Sequence, residues 1–192
     1  VSFLFCERGS KMYDIVIIGA GIVGAMIARE LSKYHLSVCI LDKESDAAMG
    51  ATRANSAIIH AGYDPEEGSL KARLNVLGSE MMPQIARELG VRYINNGSLV
   101  IGFNDEDAEK IKILYHRGIV NGVKKLFILN KDELERLEPN ISKYVICALY
   151  APTSGIICPY ELTIAAMGNA MDNGVDLKLN FKAEEIKKYE DG

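Results

Sequence analysis

Residues 13–42 read YDIVIIGAGIVGAMIARELSKYHLSVCILD, and the order of residue types in this stretch decides the fold. Ile15 to Ile18 is a short β-branched apolar run, suited to an inner strand covered on both faces as parallel sheets require. Gly19 then permits a tight turn. Gly21 has no Cβ to keep a pyrophosphate from the backbone, and Gly24 lets the next helix pack closely on the strand. The free N–H groups at the start of that helix, with the positive end of its dipole, favour an anion. Val23, Ile27, Leu31 and Tyr34 recur at helical spacing and predict the stripe that faces the sheet, with Arg29 and Lys33 on the wet side. A second apolar run, Val38 to Leu41, ends at Asp42, about 20 residues past the turn, where a carboxylate can accept hydrogen bonds from both ribose hydroxyls of a dinucleotide. The competing reading is a strand-to-helix turn with no ligand. A bare glycine triplet is weak evidence in a chain with 17 glycines, so strand, helix and acid together carry the argument.

The sequence downstream departs from a second helix-strand repeat. Residues 43–69, KESDAAMGATRANSAIIHAGYDPEEGS, are rich in small residues and read as an extended loop laid along a ligand. Leu70, Leu74, Leu77, Met81, Ile85 and Leu89 form a helical stripe, with Pro83 expected to kink or split the helix and Gly90 to stop it. From 91 to 152 the pattern is mixed. Strands surround an Asn95-Asn96-Gly97 turn, a helix capped by Asn104 and Asp107 runs to about Gly118, and Leu126 to Leu129 is a strand. A short helix carries the Asn130/Glu133 capping pattern, and Val145 to Tyr150 is a further strand. A helix from Pro159 to about Asn173, an alternating strand Val175 to Phe181 and a strand from Ala183 to Tyr189 complete the reading. The domain organisation expected is an extension over 1–12, a nucleotide-binding domain in two parts (13–90 and 153–192), and an inserted α+β substrate domain over 91–152. Tyr189 to Gly192 reads as a strand entering a hairpin turn, so the chain is expected to be C-terminally truncated and residues 1–11 to be poorly ordered.

Composition narrows the function classes. With 22 basic against 26 acidic residues the net charge is −4, and no basic run offers a surface to nucleic acid. No apolar stretch approaches the roughly 18 residues of a membrane span. Cys6, Cys39, Cys147 and Cys158 show no paired spacing, which argues for reduced thiols, against disulfide or zinc, and for a cytoplasmic protein. The acidic residues Asp105, Glu106, Asp107 and Glu109 suit a helix N-terminus, so no metal site is expected.

Three segments carry a family resemblance: VIIGAGIVGAMIARELSKY with LDKE (16–34 and 41–44), ATRANSAIIHAGYDPEEGSLKARL (51–74) and APTSGIICPYELTIAAMGNAMDNG (151–174). From Tyr13 onward the chain resembles the D-amino-acid-oxidase-like superfamily of FAD-dependent oxidoreductases. Within it the chain looks most like the FAD-dependent glycerol-3-phosphate dehydrogenase group, with the L-2-hydroxyglutarate oxidase group second. The resemblance implies an α/β architecture with a Rossmann-like, glutathione-reductase-type FAD-binding domain. It also implies FAD as cofactor and hydride transfer from a small hydroxy substrate such as glycerol 3-phosphate. By position, Gly19, Gly21, Ile22, Val23 and Gly24 would meet the FAD diphosphate, and Asp42 with Lys43 the adenosine ribose. Ala51, Thr52 and Arg53 would lie by the pyrophosphate or ribityl chain. Ser56, Ala57 and Ile58 would run under the flavin, and Ala183 would touch the adenine side. Ala57 stands where relatives commonly have glycine, and its methyl would alter how closely the backbone nears the flavin ring. His60 is the candidate proton-handling group, against a histidine that only holds structure. His35 and His116 read as surface residues, and Lys71 and Arg73 as the wet face of their helix. The resemblance leaves a missing C-terminal half or another subunit to complete the site. A nicotinamide-binding Rossmann module and a catalytically inactive fragment are the alternative readings.

Overall fold

The computed structural model describes residues 11–187; Cys6, the expected extension up to residue 10 and the turn at Asp191-Gly192 lie outside them. The elements in chain order are β1 (Ile15–Ile18), α1 (Ile22–Leu31), β2 (Val38–Leu41), a 3-10 turn (Ala51–Arg53), β3 (Ile58–Ile59), α2 (Leu70–Glu88), β4 (Tyr93–Ile94) and β5 (Ser98–Gly102). Then come α3 (Asp105–Val120), β6 (Phe127–Asn130), α4 (Lys131–Leu137), β7 (Cys147–Ala151), β8 (Gly155–Ile157), α5 (Pro159–Asp172) and β9 (Asp176–Lys178). They pack as two compact units. The first comprises residues up to Ser56, Glu88–Val91 and residues from Cys158 onward; the second comprises Ala57–Arg87 and Arg92–Ile157. Residues 57–87 therefore pack with the mixed segment rather than with the nucleotide module to which the sequence pattern joined them.

In the first unit β1, β2 and β9 form a parallel sheet in the order β1-β2-β9, with Ile15 opposite Val38 and Cys39 opposite Asp176. α5 and β9 supply the helix and strand that the sequence lacked after Asp42, so the mononucleotide unit is completed across a long insertion. β2 is buried at all four positions, as an inner parallel strand should be. One face of the sheet is covered by α1 and α5, whose Ala25, Ala28, Ala166, Met167 and Ala170 are buried together with Val38 and Ile40.

The expected stripe of α1 is met only at Leu31. Val23 is 70% exposed, and Ile27 and Tyr34 are exposed as well, while Gly24, Ala25 and Ala28 face inward with Leu31. Small side chains allow α1 to lie close to both β1 and α5, and bulk at those positions would hold the elements apart. Arg29 is not on a wet face. Its side chain is 13% exposed and its guanidinium bonds Glu88 Oε2 at 2.6 Å.

In the second unit β5-β7-β6 is antiparallel, with Ser98 opposite Ala151 and Phe127 opposite Tyr150. Ile111, Leu126 and Leu149 form its core with Ala61. β3-β8-β4 is a second small antiparallel sheet. α3 starts on Asn104, whose side chain accepts from the Asp107 N–H at 2.9 Å, and α4 on the expected Asn130/Glu133 capping box. α2 runs unbroken through Pro83. Its buried face is Ala72, Ser79 and Ala86, whereas Leu70, Leu74, Leu77 and Met81 are exposed, so here too the larger apolar residues mark the outer side. β9 is shorter than the alternation suggested, and Ala183 to Lys187 is irregular rather than a strand; Lys188 and Tyr189 lie outside the described residues. Cys39, Cys147 and Cys158 are free thiols.

At the start of the first sheet Lys11 Nζ and the Tyr13 hydroxyl both donate to Asp176 Oδ2, at 2.8 and 2.7 Å. These two hydrogen bonds hold the Asp176 carboxyl below the ordinary carboxylate range. A depressed carboxyl stabilises the fold above its unfolded value, near pH 4, and that contribution is lost as pH falls through the folded value. Because the side chain is 43% exposed, solvent screening keeps the contribution to about 1 kcal/mol at most. Asp176→Asn is expected to melt a little below the parent at pH 7, with the difference shrinking as pH is lowered from about 4 toward about 2, measured by thermal unfolding across that range.

Candidate cofactor site

The site is built at the C-terminal ends of β1 and β2. Gly19 leaves β1 with φ +112°, a conformation closed to most L-residues, and its N–H donates to Leu41 O at 2.8 Å. A Cβ on Gly24 would run into the carbonyl oxygen of Gly19 and stand 3.3 Å from Ile17 Cγ2. The first turn of α1 contains no acidic residue, and its N-cap, Gly21, contributes no side chain. Thr52 fills part of that space. Its Oγ1 accepts from the Ile22 N–H at 3.1 Å and would lie 3.0 Å from a Cβ at Gly21. The loop bearing Thr52 is thereby tied to the helix start that the sequence reading offered to a phosphate.

Asp42 is fixed on both oxygens. Oδ2 accepts from the buried Ala20 N–H at 2.6 Å and Oδ1 from the Glu44 N–H at 2.9 Å. The Ala20 carbonyl in turn accepts from the Ala48 N–H at 2.9 Å. Ala48 itself has φ +60°, a turn residue that composition did not reveal. Beyond β9 the N–H groups of Asn180 and Phe181 donate to Glu44 O and Asp42 O, both at 2.8 Å, and Ala183 follows two residues later in irregular chain. Lys43 is exposed, with Nζ 3.6 Å from Glu44 Oε1. Arg53, Ala51 and Ser56 are exposed; Arg53 Nη1 lies 3.3 Å from Met49 Sδ. Tyr160 donates to Asp46 Oδ2 at 3.2 Å, and that carboxylate pushes the phenol pKa up.

The remaining candidates lie in the second unit. The carbonyl of Ala57 accepts from the Ile157 N–H at 3.1 Å, and Ile58 pairs with Ile156 across β3 and β8. His60 follows β3, with its side chain 50% exposed and Nδ1 4.0 Å from Asp64 Oδ1. The structure thus gathers Gly19, Gly21, Ile22 and Gly24 with the side-chain oxygens of Asp42 and Thr52 in one unit, and places Ala57, Ile58 and His60 together in the other. Val23 has an exposed side chain in the first turn of α1, so only its backbone is suited to an anion.

Ala57 has φ +62°. A non-glycine residue in this region carries about 1–2 kcal/mol of strain, part of which glycine returns in unfolded-state entropy. Ala57→Gly is expected to raise stability by about 1 kcal/mol, a melting shift of about 2–4 °C, read by calorimetry.

Residues 14–192 match the family described as FAD dependent oxidoreductase. The chain belongs to that family. FAD is the cofactor of these FAD dependent oxidoreductases, and the backbone cradle at Gly19–Gly24 with the carboxylate of Asp42 fits an adenosine diphosphate: N–H donors at a helix start for the phosphates and a fixed acceptor for ribose. Over 181 residues the chain is 48% identical to a glycerol 3-phosphate dehydrogenase of Caloramator mitchellensis, covering 94% of this chain and 38% of that protein. It is 34% identical to a mitochondrial L-2-hydroxyglutarate dehydrogenase of Pongo abelii, covering 94% and 43%. Among solved structures, the dithionite-reduced L-alpha-glycerophosphate oxidase of Mycoplasma pneumoniae with FAD bound superposes with a TM-score of 0.89 at 31% identity, covering 94% of this chain and 48% of that one. The chain spans less than half the length of these relatives. Among the described residues no group of His, Cys, Asp and Glu is arranged to hold a metal, and no helix is long and apolar enough to cross a membrane.

Proposed function

We propose that this chain is the FAD-binding portion of an enzyme oxidising glycerol 3-phosphate or a closely similar hydroxy substrate. The observation that carries this reading is the 48% identity to a glycerol 3-phosphate dehydrogenase across nearly the whole chain, against 34% for an L-2-hydroxyglutarate dehydrogenase. When bound, FAD supplies the two-electron acceptor for the substrate's C–H hydride. The chain's own residues bind and orient. The N–H groups of Gly21, Ile22, Val23 and Gly24 meet the diphosphate, and the turn at Gly19 keeps Cβ atoms away from it. Asp42 takes the ribose hydroxyls with Lys43 beside it, and Ala183 borders the adenine. Ala51, Thr52 and Arg53 follow the pyrophosphate and ribityl chain, while Ser56, Ala57 and Ile58 present backbone to the flavin. His60 accepts the substrate hydroxyl proton on its imidazole. In this reading the second unit serves the substrate. The free thiols of Cys39, Cys147 and Cys158 support a cytoplasmic setting, which cell fractionation with an antibody tests.

The test of function is anaerobic reduction of the flavin-loaded full-length protein. Glycerol 3-phosphate is expected to bleach the flavin absorption faster than L-2-hydroxyglutarate at equal concentration. Bleaching by L-2-hydroxyglutarate alone would transfer the assignment to that group, and bleaching by neither would overturn both.

A further inference from the structure

The segment that follows His60 is held by one turn of one helix. Asn121, the residue capping the C-terminus of α3, donates through Nδ2 to the carbonyls of Gly62 and Pro65, both at 3.0 Å. Arg117, one turn earlier, donates to the carbonyl between them, Asp64 O, at 3.0 Å. Gly118 makes room for the loop: a Cβ there would stand 2.9 Å from Tyr63 Cβ and 2.5 Å from Leu126 Cδ2. From the other side Gly62, at φ +111°, lies against α2, where an added Cβ would be 2.5 Å from Val76 Cγ2. Three backbone carbonyls within four residues are thus fixed from α3, and Asp64, whose carbonyl is the central one, carries the carboxylate nearest His60 Nδ1.

Two features argue that this arrangement does more than anchor a loop. The two carbonyl acceptors fix the Asn121 amide with Nδ2 toward the loop, and Oδ1 is then buried without a partner among the described residues. A primary amide carries two N–H donors, enough to bridge two carbonyls at once, and the side chain is well chosen for that role. Secondly, the clamp lies within five residues of His60 on a segment whose glycine and tyrosine are packed from both sides, which fixes the imidazole's backbone while leaving the ring half exposed. Rigid support of this kind is what a proton-handling group needs, because small displacements of a reacting group cost large factors in rate.

We propose that Asn121, assisted by Arg117, is a positioning residue for His60, acting through the carbonyls of Gly62, Asp64 and Pro65; the inference rests on the reading of His60 given above. The test is a double-mutant cycle in the flavin-loaded full-length protein, with reduction by glycerol 3-phosphate followed by stopped flow. Asn121→Asp replaces a donor by an acceptor facing two carbonyls at nearly constant shape. It is expected to slow reduction about 10-fold with KM and FAD affinity within about twofold, and to have no further effect in a His60→Gln background. Arg117→Gln, a second route should Asn121→Asp fail to fold, is expected to behave alike, and Arg117→Lys to restore the rate. Independently of activity, digestion with a glutamyl endopeptidase, with cuts mapped by mass, is expected to cleave after Glu66 or Glu67 about 10-fold faster in Asn121→Asp. A slow His60→Gln enzyme in which Asn121→Asp still costs its full factor would overturn the positioning role alone, as would unchanged cleavage. A His60→Gln enzyme reduced at the parent rate would instead overturn the reading of His60 beneath it.

Discussion

Gly24→Ala is expected to lower the melting temperature by about 6–12 °C and to abolish measurable FAD binding at micromolar protein, although in an exposed helix the same change stabilises by about 1 kcal/mol. The sign is decided by the geometry at the start of α1. The new methyl falls on the carbonyl oxygen of Gly19, a backbone atom that cannot rotate away, and comes within 3.3 Å of the Ile17 side chain. Relief requires α1 to lift from β1, and with a backbone atom as the obstacle the cost lies at about 3 kcal/mol, the upper end for overpacking. The movement also drags Gly21 and Ile22 away from Thr52, so cofactor affinity falls with stability. Thermal unfolding and FAD titration by fluorescence quenching measure the two effects. A melting temperature equal to or above that of the parent would show that the helix shifts at little cost.

Asp42→Ala is expected to weaken FAD by a factor on the order of 100, about 2.7 kcal/mol. The carboxylate has two jobs. It receives the N–H groups of Ala20 and Glu44, and in the proposed function it receives the ribose. Ala20 is fully buried, so deletion leaves its N–H unpaired at a cost of about 1–3 kcal/mol even before ligand is added. Asp42→Asn retains one carbonyl acceptor and is expected to fall between parent and alanine variant in both melting temperature and FAD affinity. A dissociation constant within threefold of the parent for Asp42→Ala would remove the residue from the cofactor's contacts.

The geometry of the first turn was legible in the sequence, and the structure displays two of its physical reasons directly: the positive φ of Gly19 and the contact that excludes a Cβ at Gly24. Strand and helix positions followed from periodicity and caps, as Asn104 and Asn130 show. Which helix face turns inward did not follow. In α1 and α2 the buried residues are alanine, glycine and serine, with Leu31 and Val76 only partly buried beside them, and a rule that buries the largest apolar side chains selects mostly the opposite face. That rule fails where close approach of backbones, rather than volume, sets the packing. The left-handed Ala48 and the anchoring of residues 62–65 by Asn121 were equally hidden, since neither alanine nor asparagine signals such a role by type or spacing. The role of α5 and β9 in finishing the parallel sheet lies more than a hundred residues from β2 and is a property of topology, not of local pattern.

The bond from the Ile22 N–H to the Thr52 hydroxyl spans 30 residues of sequence, so the start of α1 and the turn at Ala51–Arg53 are positioned as one piece. A change at Thr52 is felt at the helix start, and strain placed on the helix start is felt in the loop. The two sides of the proposed diphosphate cradle therefore cannot be tuned separately.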